Sequence, residues 1–363
     1  MTPGGAVLRR PAEWLHHART ILAWPSKAGY MSRYPDSIHR ATNDVSSIAS
    51  AVAHFEPVTL LVDHQRYAAA EHWLRFASTP YQIQIHPVPG QLDLWMRDIA
   101  PVYVLRHGPD GQHSVCGDDF NFNGWGNKYL TPTTDKLARH LLQGTYTERV
   151  ESSIVIEGGA IEIDGEGTLV ATESSLINDN RNPGKTRQDI EAELRRTLGV
   201  EKFIWIPGRK GLEVTDCHID SLVRFVKPGL VLLSKPNKMD KSEWTDIYTE
   251  ARDILANSTD ARGRQLSMVD ILEADLYSIG LDRLTLQALE TGEEEPAALS
   301  YVNYHLVNGG IILPQFGDSE TDFKALQIFR ELFVDRKVVP VPIKELPLFG
   351  GGIHCATQEV PLA

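Results

Sequence analysis

Glu157-Gly158-Gly159-Ala160-Ile161-Glu162-Ile163 runs into Asp164-Gly165 and then, after a short gap, Thr168-Leu169-Val170-Ala171. Two apolar, β-rich runs joined through Asp-Gly read as a hairpin, because glycine and aspartate accept the positive φ that a tight turn needs. A carboxylate therefore stands directly before a hairpin. The arrangement recurs. His218 and Asp220 precede Leu222-Val223-Arg224-Phe225-Val226, a Pro228-Gly229 turn and Leu230-Val231-Leu232-Leu233. Asn303 precedes His305-Leu306-Val307, Asn308-Gly309-Gly310 and Ile311-Ile312-Leu313. Asp98 precedes Ile99-Ala100-Pro101-Val102-Tyr103-Val104, and Asp98, Glu157 and His218 are spaced by 59 and 61 residues.

Helical spacing of apolar residues follows the hairpins, over 134–143, 185–198, 242–257 and 319–335. Each repeat thus reads as one β-β-α-β unit. Units packed around an axis would bring Asp98, Glu157, His218, Asp220, Asn303 and Cys355 together. An open α/β sheet whose hairpins merely share composition is the competing arrangement. The opening segment alternates strand and helix. Arg19-Thr20-Ile21-Leu22-Ala23-Trp24-Pro25, Pro57-Val58-Thr59-Leu60-Leu61-Val62 and Tyr81-Gln82-Ile83-Gln84-Ile85-His86 read as strands, with helices over 37–55 and 65–76. Glu293-Glu294-Glu295 is expected to be a solvated loop.

Composition narrows the function. A net charge of −12 argues against nucleic acid, which wants a basic face, and suits a cationic partner. Three cysteines are too few for a disulfide framework and point to a reducing compartment, so the expected location is the cytoplasm. Residues 1–11 carry no apolar signal core, and no run is long enough to span a membrane. Oligomeric state is not readable, and a homo-oligomer stays open.

Cys355 follows Gly350-Gly351-Gly352-Ile353-His354. A thiol behind glycines can attack an electrophile if a base and a cation site stand near it. On a strand, the His218-Ile219-Asp220 spacing would point imidazole and carboxylate the same way. Cys217 would then point away from His218, and Cys116 reads as incidental in a polar loop. Trp95, three residues before Asp98, offers a face for a planar cation. Neither HExxH nor CxxC occurs, and no metal is expected. Three inward carboxylates repel one another unless a cation sits among them. Guanidinium fits, because its N–H fork pairs bidentately with carboxylates.

Further stretches fill out the pattern: Ala12-Glu13-Trp14, Trp95-Met96-Arg97-Asp98, Phe122-Asn123-Gly124-Trp125-Gly126 with Lys128, Arg181-Asn182-Pro183 and His218-Ile219-Asp220, ending in Gly350 to Cys355. In this order they resemble the agmatine deiminase / bacterial-type peptidylarginine deiminase family of the guanidino-group-modifying superfamily. The resemblance implies an α/β fold, a five-bladed pseudo-symmetric ββαβ propeller of pentein type, with 1–363 as one catalytic domain. It implies hydrolysis of a guanidine to a ureido group and ammonia, without metal or organic cofactor. By position it makes Cys355 the nucleophile and His218 the general acid and later base. Glu157 becomes the partner of His218, and Asp98 and Asp220 the grip on guanidinium. Trp95, Asp216, Asn303 and Gly352 complete the expected substrate-binding set. The family glutamate that meets agmatine's distal amine falls at Val214, so Asp216 or Glu213 is the expected substitute. Peptidylarginine, arginine or another alkylguanidine is the alternative substrate. An amidinotransferase and a non-catalytic guanidinium binder are the alternative functions.

Overall fold

The computed structural model describes residues 7–27, 29–34, 37–108 and 111–363, so residues 1–6 of the N-terminal reading lie outside it. The chain opens with β1 (Val7–Arg9) and β2 (His17–Ala23), then the helix Ile38–Val52, β3 (Val58–Asp63), the helix Tyr67–Leu74 and β4 (Ile83–Val88). β2, β3 and β4 run parallel, as strands joined through helices must.

Four ββαβ units follow. The first is β5 (Val102–His107), β6 (His113–Asp119), the helix Leu137–Gly144 and β7 (Glu148–Glu151). The second is β8 (Ile161–Ile163), β9 (Thr168–Thr172), the helix Arg187–Leu198 and β10 (Lys202–Ile206). The third is β11 (Val223–Lys227), β12 (Leu230–Lys235), the helix Glu243–Ala256 and β13 (Ser267–Leu272). The fourth is β14 (His305–Val307), β15 (Gly310–Gln315), the helix Ser319–Leu332 and β16 (Lys337–Pro342). In each, the first two strands pair antiparallel and the third lies parallel to the second. β1 extends the first of these sheets beside β5.

The fifth sheet is closed by the chain's two ends. β17 (Gln358–Pro361) pairs antiparallel with β2 and takes the place of a first hairpin strand. Four contiguous hairpins are therefore legible in sequence, while the fifth has no turn to announce it. The radial arrangement holds and the open sheet does not: five separate sheets form, of four, three, three, three and four strands.

Local chemistry agrees with these elements. Thr186 and Asp189 form a reciprocal cap at the start of Arg187–Leu198, and Gly199 ends it with a left-handed φ of 66°. Ile38, Ala41, Val45, Ile48, Ala49 and Val52 bury one face of the first helix at the expected period. No helix among the described residues is long and apolar enough to cross a membrane.

Three expectations are corrected. His218-Ile219-Asp220 is not on a strand: Ile219–Ser221 forms a short helical turn and β11 starts at Val223. Cys116 lies buried in β6 rather than in a loop. Glu294 and Glu295 are half-buried, accepting from the Tyr34 hydroxyl and pairing with Arg33. An additional helix, Arg283–Thr291, carries no buried residue, and so lacks the apolar stripe by which a helix is read.

Candidate active site

Each unit presents one tight turn just before its first strand. Asp98 lies in Met96–Ile99, Gly158–Ala160 follows Glu157, and Asp220 lies in Ile219–Ser221. Asn303 precedes β14 and Cys355 precedes β17. The ring gathers these turns at its centre. His218 Nε2 lies 3.2 Å from Glu157 Oε2, and its Nδ1 lies 3.6 Å from Asp98 Oδ1. The Cys355 thiol donates to Asp220 Oδ2 at 3.6 Å. Asn303 grips Cys355 twice, from its Nδ2 to Sγ at 3.2 Å and through the Cys355 N–H to its Oδ1 at 3.3 Å.

Close approach explains two glycine positions. A Cβ on Gly159 would fall 2.7 Å from His218 Nδ1 and 2.9 Å from Asp98 Oδ1. Instead, the Gly159 N–H donates to Asp98 Oδ1 at 3.1 Å. A Cβ on Gly351 would strike the Trp95 ring, so that glycine lets the indole approach the turn leading to Cys355.

Several residues quoted for the resemblance acquire contacts that sequence reasoning did not assign. Trp125 Nε1 donates to Asp98 Oδ2 at 2.9 Å. Arg181 is fully buried; its Nε meets both Glu157 oxygens at 2.9 Å and its Nη1 meets Asp216 Oδ2 at 2.6 Å. His354 stands between Asp220 and Glu13, 2.8 Å from each. Glu13 also pairs with Arg97 at 2.9 Å and with Arg224. These ion pairs lie directly behind Asp220 and Glu157. The motifs Trp-Met-Arg-Asp and Ile-His-Cys carried the signal for Arg97 and His354, but proximity across 257 residues is not legible from a single chain.

The electrostatics follow from burial and charge. Burial alone would push His218 down, but the Asp98 and Glu157 carboxylates outweigh it and hold the imidazolium up to about 9. Burial would raise Glu157, yet Arg181 and His218 keep it below the usual carboxylate range. Burial, with Glu157 and Asp220 nearby, lifts Asp98 to about 6 despite His218. Asp220 is held low against burial by the hydrogen bond from His354. Burial, then Asp220 and Asp98, push the Cys355 thiol well above its ordinary value. Without a cation in place, the sulfur is therefore a thiol.

Trp95, Asp98, His218, Asp220 and Cys355 line one cavity of ≈ 200 Å³, together with Trp125 and Val214. Glu157 lies behind His218. Asn303 and Gly352 hold the Cys355 turn from behind, and Gly351 rather than Gly352 forms the wall. Asp216 is not on the wall: Arg181, Asn180, Lys128 and the Gly211 N–H occupy its oxygens. Its charge is needed to balance two cations, so it is not free to serve a substrate. Cys217 does not lie on a strand; it takes a φ of 75°, lines the same cavity and is pushed by burial up to about 12.

Among the described residues, one group has atoms close enough to hold an ion: His17, Glu56 and His305, away from the cavity wall. Its members are already engaged. His17 sits between Glu56 and the Glu13 carbonyl, and the Thr20 hydroxyl bridges Glu56 and His305. This is a hydrogen-bonded cluster in which, among the described residues, His305 Nδ1 alone lacks a partner.

A family model described as Porphyromonas-type peptidyl-arginine deiminase matches residues 9–361. The chain belongs to that family. The agmatine deiminase of Stutzerimonas stutzeri is 37% identical, over 97% of this chain and 95% of its own length. That of Medicago truncatula is 33% identical, over 99% and 98%. Among solved structures, the agmatine deiminase of Enterococcus faecalis matches with a TM-score of 0.84 at 26% identity, covering 98% of this chain and 96% of that one. The fold of this peptidyl-arginine deiminase family member is thus the pentein-type ring expected from its sequence.

Proposed function

We propose that this chain is an agmatine deiminase, hydrolysing the guanidinium of agmatine to a ureido group and releasing ammonia. One observation carries the reading. A cysteine, a histidine and two carboxylates line a single cavity, and Asp220 Oδ1 is buried there without a hydrogen-bond donor among the described residues. A guanidinium supplies the missing N–H groups and the missing positive charge. Relatives bearing the agmatine deiminase name match across nearly the whole chain, which supports the same substrate.

The chemistry then runs through these side chains. A guanidinium held by Asp98 and Asp220 opposes their field at Cys355 and lowers the thiol's pKa, so that its proton passes to solvent and the thiolate forms where the electrophilic carbon lies. Sulfur attacks that carbon and a C–S bond forms. The His218 imidazolium gives its proton to the departing nitrogen, the C–N bond breaks and ammonia leaves. Neutral His218, still held by Glu157, takes a proton from water as it attacks the S-amidino carbon. The C–S bond breaks, giving the ureido product and restoring the sulfur. Asp98 and Asp220 act as the grip, Glu157 as the positioning partner of His218, and the chain as one catalytic unit. Three free cysteines among the described residues suit a cytoplasmic location.

The test offers agmatine, arginine and a blocked arginyl peptide to the wild type and to Cys355→Ala, with ureido product and ammonia measured. The expected result is turnover of agmatine by the wild type only. Ammonia released with no added amine separates hydrolysis from amidino transfer. Turnover of the peptide in place of agmatine, or full activity of the variant, would overturn the proposal.

A further inference from the structure

Position 214 is a valine at the cavity wall, so the distal amine of a bound agmatine meets no carboxylate there. Besides Asp98 and Asp220, three carboxylates line the cavity, Glu213, Glu273 and Glu295, and their hydrogen bonds differ. Glu213 is folded into its own turn: its Oε1 accepts from the Thr215 hydroxyl and the Cys217 N–H, and its Oε2 from the Thr215 N–H. Asp216 is consumed by Arg181, Lys128 and Asn180, as described above. Glu295 pairs with Arg33 at 3.3 Å.

Glu273 is different. It follows β13 and lines the cavity beside Ser234, Pro236, Ile247, Tyr248 and Leu299. Ser234 Oγ donates to its Oε1 at 2.8 Å. No group among the described residues donates to its Oε2, and no arginine, lysine or histidine pairs with it. Glu273 is half-buried, so a cation entering the cavity meets a carboxylate oxygen that no protein donor shares. Burial indeed pushes its pKa up, with the Ser234 hydrogen bond offsetting only part.

A continuous wall links Glu273 to the nucleophile. Asn303 Nδ2 contacts Cys355 Sγ at 3.2 Å and also donates to Ser221 Oγ at 3.0 Å. The next residue, Leu222, accepts the Ser234 N–H at 2.8 Å, and the Ser234 side chain reaches Glu273. Leu222, Ser234 and Glu273 all face the same cavity as Cys355.

We propose that Glu273 receives a terminal ammonium at the far end of the substrate, making the site selective for alkylguanidines that carry a second positive charge. The inference rests on the proposed guanidine hydrolysis and adds the subsite that defines the substrate's tail. A terminal carboxylate would be repelled there, and an uncharged tail would leave Glu273 unpaired.

The experiment compares agmatine, n-butylguanidine and 4-guanidinobutyrate as substrates for the wild type and for Glu273→Gln, with Ser234→Ala as a second variant. The glutamine keeps shape and the Ser234 hydrogen bond while removing charge. The ratio of kcat/KM for agmatine over n-butylguanidine should fall by about 10- to 100-fold in Glu273→Gln, the range of one charge-assisted contact. The loss should sit mainly in KM, since the tail does not react. Ser234→Ala should shift the same ratio in the same direction by a smaller factor. An unchanged ratio in Glu273→Gln would overturn the subsite while leaving the hydrolase intact. Failure of the wild type to turn over any of the three would overturn the proposed function instead.

Discussion

Replacing Asp220 by asparagine is expected to move catalysis and cysteine reactivity in opposite directions. In the unliganded site, Asp220 Oδ2 lies 3.6 Å from Cys355 Sγ and opposes formation of the thiolate. Two unit charges at that distance interact by about 4–5 kcal/mol at an effective dielectric near 20. The same oxygen also accepts from His354, which offsets roughly half of its field at the sulfur, leaving about 2 kcal/mol. At about 1.4 kcal/mol per factor of ten, this is roughly a 30-fold rise in thiolate at neutral pH. Asp220→Asn should therefore react about 30 times faster with neutral chloroacetamide at Cys355, followed by peptide mass mapping. Cys116 and Cys217, both buried, serve as internal controls. Deiminase turnover should fall by at least about 100-fold, because the guanidinium loses a charge-assisted acceptor. A cationic haloacetamidine should outpace chloroacetamide in the wild type, and the preference should collapse in the variant. Slower or unchanged alkylation of Cys355 by the neutral reagent, in a folded variant, would refute this account of the thiol.

Three further outcomes follow from the same contacts. Arg181→Met removes the buried cation shared by Glu157 and Asp216, leaving them His218 and Lys128 alone, and should lower stability by about 3–5 kcal/mol in urea unfolding. Gly159→Ala should fold but lose about 100-fold in turnover, because its Cβ displaces His218 or Asp98 from their present positions. The imidazolium of His218 should titrate at about 9 by NMR, and Glu157→Gln should lower that value by a unit or more. Since the folded value is raised, its stabilising contribution is complete below about pH 6.5 and lost as pH rises through about 9. Urea midpoints across that window should fall in the wild type and lose this slope in His218→Gln.

The hairpins were legible because their turns are chemically loud. Asp164-Gly165, Pro228-Gly229 and Asn308-Gly309 each sit where a strand reverses, and Gly165, Gly229 and Gly309 all take positive φ. The residues leading those hairpins were legible for the same reason, since their spacing tracks the repeat. Less visible was what holds them. Arg181, His354, Trp125 and Glu13 act through contacts between units, and nothing within one unit's sequence specifies a partner in another. Asp216 misled because a carboxylate two residues from His218 looks available until Arg181 and Lys128 are found upon it. Glu273 went unread because it follows an ordinary strand, and its missing partner is a property of the folded cavity.

Because β17 pairs with β2, the turn bearing Cys355 is placed by a contact between the two ends of the described chain. Asp98, Glu157, His218 and Asn303 each lead a hairpin that can form once its own stretch of chain has been synthesised. The turn bearing Cys355 has no such local partner; its strand must find the opening strand of the molecule, more than three hundred residues away. Cys355 thus reaches the cavity shared with Asp98, His218 and Asp220 only when head meets tail. The same seam works as a latch in the finished protein. Fraying at this one edge would silence the reaction while four of the five sheets stayed whole.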